Sequence, residues 1–164
     1  MNETQCTPQT PLRERFERTV CDCDKCARHC HHMPGCLGPG DLQRIADYMG
    51  RVPAEVLHLF RASPGALVVR QGGTPFRIGT IVPARDKNTG DCVFLDGNRC
   101  SIHEVAPFGC SHFDDHMDPA EGELRSMLFL DECSKSQTYQ LVRAMVARVG
   151  GTTDGPEVKR AQYE

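Results

Sequence analysis

Three features of the chain together predict an α+β fold, a small loop-rich domain of short helices and β-hairpins. Apolar residues recur at helical spacing in stretches only two or three turns long. Two apolar runs of strand character flank glycine-bearing turns. Glycine and proline number 15 and 11 of 164 residues, so the elements are short and often interrupted. A chain of this length forms one domain with a modest core. Apolar residues make up 39%, aromatics 6%, and tryptophan is absent, so the core is thin and a covalent or metal staple is expected to support it.

The elements follow in order. Residues 1–10 read as a flexible polar tail. Pro11, with Leu12, Phe16 and Val20 four apart, predicts a short helix over 11–20. The run 21–36 is crowded with Cys, His, Pro and Gly and reads as a metal-binding loop with one helical turn. Asp41 is the expected N-cap of a helix to Met49, with Leu42, Ile45, Ala46 and Met49 as its apolar stripe and Gly50 as its stop. Pro53 opens a second short helix that ends before Ser63-Pro64-Gly65.

From residue 66 the pattern changes to strand. ALVVRQ, a Gly72-Gly73 turn and PFRIGTIV predict a β-hairpin, and CVFLD, Gly97-Asn98 and RCSIH predict a second, hairpin-like unit. Pro107 and Gly109 force an irregular approach to Cys110. Residues 118–126 are polar, and MLFL at 127–130 reads as a short buried strand. Residues 134–149 predict a helix with Leu141, Met145 and Val146 on its inner face, stopped by Gly150-Gly151. The expected organisation is one domain over 11–150 between flexible tails at 1–10 and 151–164.

Ten cysteines are concentrated in two places. Cys23-x2-Cys26-x3-Cys30 lies near the start, and Cys92, Cys100 and Cys110 follow about sixty residues later. Cys-x2-Cys is a compact chelating turn that aims two thiolates at one centre, with nearby N–H groups bonding the sulfurs. Joining the two segments through a metal closes a long loop, so metal binding and folding are coupled. No second Cys-x2-Cys is present, which argues against a zinc ribbon, and the bacterial ferredoxin run is absent. The radical-SAM order of spacings is reversed, and Cys26-Ala-Arg-His-Cys30-His31 is one residue too long for haem attachment.

Net charge is −3 and no Lys/Arg cluster offers a phosphate-tracking face, so nucleic acid is not an expected partner. No apolar run approaches the ~18 residues of a membrane span, and the first residues lack the apolar core of a secretory signal. The expected compartment is the reducing cytoplasm, where clustered cysteines are metal ligands, redox thiols or core residues rather than disulfides.

The segments CDCDKCARHC…PGCLGPGDLQRIADYMG and CVFLDGNRCSIHEVAPFGC resemble the YkgJ-type cysteine-cluster family, the CxxCxxCC domain described as zinc- or iron-chelating. The resemblance spans residues 21–115. It marks a divergent member: the family's adjacent Cys-Cys is replaced by Cys30, His31-His32 and Cys36, and its Arg before the proline is Ala106. Carried over position by position, it implies Cys23, Cys26, Cys30, Cys92, Cys100 and Cys110 as cofactor and metal ligands.

Cys21 and Cys36 flank the first cluster and are further candidates. His112 and His116 follow Cys110 at zinc-like spacing, with Asp114 and Asp115 as oxygen donors. His29, His31 and His32 read as loop histidines beside the thiols, His58 and His103 as structural, Cys133 as core, and Cys6 as unliganded. The surplus of thiols allows two centres, or one with spare thiols. The leading expectation is an iron–sulfur cluster, [4Fe-4S] first and zinc as the alternative, in an electron-transfer or accessory subunit acting with a partner protein. Two other functions compete: a structural zinc domain for protein interaction, and a small metalloenzyme using His112, Asp114 and His116.

Overall fold

The computed structural model describes residues 10–19, 21, 23–68 and 72–150. The expected tails therefore lie outside the described residues, apart from Thr10. The architecture is α+β, with seven short to medium α-helices and two small antiparallel sheets among the described residues.

The first helix, α1, covers only Leu12–Arg15 and buries Leu12. The cysteine run holds more order than its composition predicts: Asp24–His32 form a full helix, α2. Its N-cap is Cys23, whose sulfur accepts the N–H of Cys26 and so does what a Ser or Asp oxygen does elsewhere.

Helix α3, Asp41–Tyr48, buries Leu42, Ile45 and Ala46 as its spacing predicts. Its N-cap is Gly40, at φ 85°, not Asp41. Asp41 is instead drawn inside, where its carboxylate accepts the N–H groups of Gly38 and Phe108, each at 2.7 Å. Arg13 from α1 completes the set at 2.7 Å. One buried, fully satisfied carboxylate thus ties three segments together.

Pro53 opens α4, Pro53–Val56, which runs on as a 3₁₀ turn over Leu57–Leu59. Strand β1 then begins at Phe60, earlier than expected, and runs to Val68 against β2, Phe76–Pro83. Ser63-Pro64-Gly65 does not end a helix; it forms an irregularity between the pairs Ser63–Thr80 and Ala66–Ile78. Gly65 is required there, because at φ 76° a Cβ would lie 1.7 Å from the Ile78 carbonyl oxygen. The second hairpin forms as read, with β3, Leu95–Asp96, against β4, Arg99–Cys100. A short helix, α5, Phe108–Ser111, carries Cys110.

The expected strand at 127–130 is a helix instead. Helix α6 runs from Pro119 to Lys135, started by Asp118, whose carboxylate accepts the N–H groups of Ala120 and Glu121. Its inner stripe is Arg125, Phe129 and Cys133, four apart. MLFL spans both faces of this helix, so a continuous apolar run was mistaken for a strand. Helix α7, Gln137–Val149, buries Val146 as expected, but not Leu141 or Met145. Tyr139 and Val146 are buried, while Leu141 and Met145 are 67% and 50% exposed.

The core lies between the β1–β2 hairpin, α3, α6 and α7, around Leu37, Ile45, Phe60, Ile81, Phe129 and Cys133. Tyr139 pins it: its hydroxyl accepts the N–H of Ile81 at 2.9 Å and donates to the Leu37 carbonyl at 2.8 Å. Leu37 also bridges Ile81 directly. This anchors the segment after α2 to the sheet. Among the described residues no helix is long and apolar enough to cross a membrane.

Candidate metal centre

Four donor groups meet at the N-terminus of α2. The sulfurs of Cys21, Cys23 and Cys26 and an imidazole nitrogen of His116 all lie within 4.8 Å of one another. Cys23 Sγ is 3.3 Å from His116 Nε2. The three thiols come from the start of α2, where capping turns the chain sharply. His116 comes from the loop between α5 and α6. That loop is held from both sides: Asp114 accepts the N–H of His116 at 2.8 Å, and Asp115 pairs with His29 of α2 at 3.1 Å. At its start, Arg125 donates to the His112 carbonyl at 2.8 Å and to that of Glu17 at 3.1 Å.

The electrostatics of this group is uneven. The Cys23 thiol is pulled down to about 6, first by the N–H of Cys26 and then by His116. Cys26 is pushed up to about 12 by burial and by its thiol neighbours Cys21 and Cys23, against the N–H of Asp115. Three thiolates this close repel one another, and a cation between them removes that repulsion. The donor set fits a metal. Ligands at ~2.3 Å around a tetrahedral zinc stand ~3.8 Å apart, within the observed span. Soft sulfur with imidazole suits zinc or ferrous iron and suits magnesium or calcium poorly.

The other family-matched cysteines, Cys30, Cys92, Cys100 and Cys110, stand outside this group. Cys30 is one turn beyond Cys26 on α2, Cys92 follows β2, Cys100 lies in β4 and Cys110 in α5. The Cys92 N–H donates to the Cys30 carbonyl at 2.7 Å. Cys110 Sγ accepts the Gly35 N–H at 3.1 Å. Two glycines make that last approach feasible: a Cβ on Gly35 would stand 2.1 Å from the Gly109 carbonyl carbon, and one on Gly109 would stand 2.4 Å from the Cys36 nitrogen. The same crossing is closed by the Gly109 N–H on the Cys36 carbonyl at 2.9 Å. His31 pairs with Asp91, beside Cys92, at 2.8 Å. Burial is the main cause raising all four thiols, Cys92 to about 12 and Cys110 well above the ordinary range.

The remaining candidates fall outside the Cys21, Cys23, Cys26 and His116 group as well. Cys36 donates to the Thr80 hydroxyl at 3.5 Å, and Cys133 is wholly buried in the core, as expected. His112 is buried, stacked on Phe108 at 4.4 Å between ring centres, with Nδ1 2.8 Å from Ser111 Oγ. Burial lowers it to about 4, so it is a neutral core histidine. His112, Asp114 and His116 therefore do not converge. His58 and His103 are exposed. The described cysteines are all free thiols. The pairings His29–Asp115 and His31–Asp91 and the Gly35–Gly109 crossing were not read from sequence. The repeated Gly-Cys dipeptides, 35–36 and 109–110, were the available signal for the crossing.

The sequence model of the CxxCxxCC family, described as a putative zinc- or iron-chelating domain, matches residues 22–142, and the chain belongs to that family. No curated protein and no solved structure matches it.

Proposed function

We propose that this CxxCxxCC domain is a metal-binding accessory module in which Cys21, Cys23, Cys26 and His116 hold one zinc ion. The observation that carries the reading is the convergence of three sulfurs and one imidazole nitrogen within 4.8 Å. Bound there, the ion would neutralise the thiolates and cross-link the start of α2 to the loop between α5 and α6. A set of four protein ligands is the closed arrangement of structural zinc sites, which favours a structural role over catalysis. Free thiols suit a reducing compartment such as the cytoplasm. The exposed row Leu141, Met145 and Val149 along α7 favours action with a partner protein.

An iron–sulfur cluster, with the electron-transfer role that would accompany it, draws its support from the other thiols, Cys30, Cys92, Cys100 and Cys110. The test of the zinc reading is metal analysis of the full chain with zinc-edge X-ray absorption. One zinc with three sulfur neighbours and one nitrogen is expected, and His116→Ala should lose it. Zinc content and coordination unchanged in His116→Ala would overturn the assignment.

A further inference from the structure

We infer that two copies of this chain pair through their last two helices, α7 of each copy lying against α6 of the other. The inference deepens the accessory-module reading, since it names the partner protein as a second copy, and it does not depend on the zinc.

Helix α7 carries an outward row with no cover. Leu141, Met145 and Val149, four apart, are 67%, 50% and 57% exposed. That spacing sets them along one stripe of the helix. Arg148 follows Leu141 by seven residues, two turns on, and lies on the same stripe. Helix α7 contains no acidic residue. Its other arginine, Arg143, is turned to the sheet, where it donates to the carbonyls of Ser63 at 2.7 Å and Thr80 at 3.2 Å. The outward face of α7 is therefore apolar and positive.

Helix α6 carries the complement. Leu124 and Met127, three apart, are both more than half exposed. Glu123 lies four residues before Met127 and Asp131 four after it, so two carboxylates bracket the apolar pair on one stripe. Asp131 is already paired with Lys135 at 2.7 Å. Glu123 is not. Glu123 and Arg148 are both exposed, and neither has an ion-pair partner among the described residues.

The two stripes match each other but do not meet within one chain. Ser136 is at once the C-cap of α6 and the N-cap of α7, so the helices are joined at a single residue. Each commits its other face to the interior: Arg125, Phe129 and Cys133 from α6, Tyr139 and Val146 from α7. A second copy offers both complements at once. Reciprocal exchange about a two-fold axis lays each α7 row on the other copy's α6 pair. It also brings each Arg148 to the other copy's Glu123 and closes the assembly at two chains. Contiguous exposed apolar rows mark interaction sites, and an apolar, methionine-bearing centre with charges at its rim is the composition of a protein interface.

The test is the mass of the full chain as isolated, by light scattering on gel filtration and by sedimentation equilibrium, with zinc content read on the same samples. A mass twice the 18.2 kDa of one chain is expected. Arg148→Glu sets two like-charge contacts in each dimer and should raise the dissociation constant ~100-fold or more. Arg148→Glu combined with Glu123→Arg should restore pairing, which a role confined to the fold of one chain would not do. Leu141→Asp should give a monomer with the helix content of the wild type by circular dichroism. If Leu141→Asp fails to fold, the charge swap still decides. A wild-type chain that stays at 18.2 kDa up to ~100 μM overturns the inference and leaves the zinc reading untouched. So does a dimer that Arg148→Glu leaves intact, or a charge swap that fails to restore pairing. A mass that climbs past two chains with concentration would mean open head-to-tail association and overturns the closed pair. A dimer that holds no zinc supports this inference and overturns the zinc reading alone.

Discussion

Replacing Gly35 by alanine should damage the protein far more than its size suggests. The added Cβ would lie 2.1 Å from the Gly109 carbonyl carbon and 2.4 Å from both the Gly109 oxygen and the Cys110 nitrogen. All three are backbone atoms, so no side chain can swing away. The two segments must separate by more than an ångström. That breaks the Gly109 N–H bond to Cys36 and the Gly35 N–H bond to Cys110 Sγ. Two hydrogen bonds at ~1 kcal/mol each and overpacking of ~1–3 kcal/mol sum to ~3–5 kcal/mol. For a chain of this size each kcal/mol lowers Tm by ~2–4 °C, so a fall of about 10 °C is expected. Thermal unfolding followed by circular dichroism measures it, and metal content is read on the same samples. Gly122→Ala is the control, since its Cβ meets only Met117 Sδ, at 3.7 Å, inside α6. It should raise stability by ~0.5–1 kcal/mol. If Gly35→Ala melts within ~2 °C of wild type, the close crossing is not what positions Cys110.

Tyr139→Phe leaves the Ile81 N–H and the Leu37 carbonyl without their buried partner. A loss of ~2–3 kcal/mol is expected in urea unfolding, with an unchanged m-value, and a loss below ~0.5 kcal/mol would show that the hydroxyl is not the pin described above. Asp41→Ala takes the carboxylate from the Arg13 guanidinium and strands two N–H groups, and should cost ~3–5 kcal/mol by the same assay. A near-neutral result would mean the three segments hold together without it. The metal-free chain should lose stability in alkali. Cys92 and Cys133 are raised to about 12 in the fold, so their stabilising contribution is complete below the unfolded thiol value of ~8.5 and is lost as pH rises toward 12. Cys23, held down to about 6, works in the opposite direction only up to that same unfolded value. Denaturant midpoints for metal-free protein above ~pH 9 therefore check this, and a flat or rising profile there would contradict it.

Local chemistry was legible where one stretch of chain decides the outcome. The stripe Leu42, Ile45 and Ala46, the start at Pro53 and the turn at Gly97-Asn98 needed only spacing and turn residues. The α+β class and the thiol-rich metal chemistry came from the same source. Helix α6 was missed although Asp118-Pro119 is a sound helix start. Its inner stripe includes Arg125 and Cys133, and an arginine becomes an interior residue only when the carbonyls of Glu17 and His112 arrive to receive it. The inner face of α7 was legible at Val146 but not at Leu141 and Met145, for a related reason. Leu141 and Met145 are apolar, but the sheet meets the face carrying Tyr139 and Val146.

The division of the cysteines is the clearest case. The sequence by itself determined that thiols would be gathered around metal, because Cys-x2-Cys chelates locally whatever surrounds it. It did not determine that Cys21, Cys23 and Cys26 would meet His116, or that the Cys30 backbone would bond that of Cys92. Those groupings depend on where α2 stands relative to the loop before α6 and to the β3–β4 hairpin. That placement is set by Asp41, Arg125 and the glycine crossing, contacts between residues far apart in the chain, so only the tertiary structure decided it.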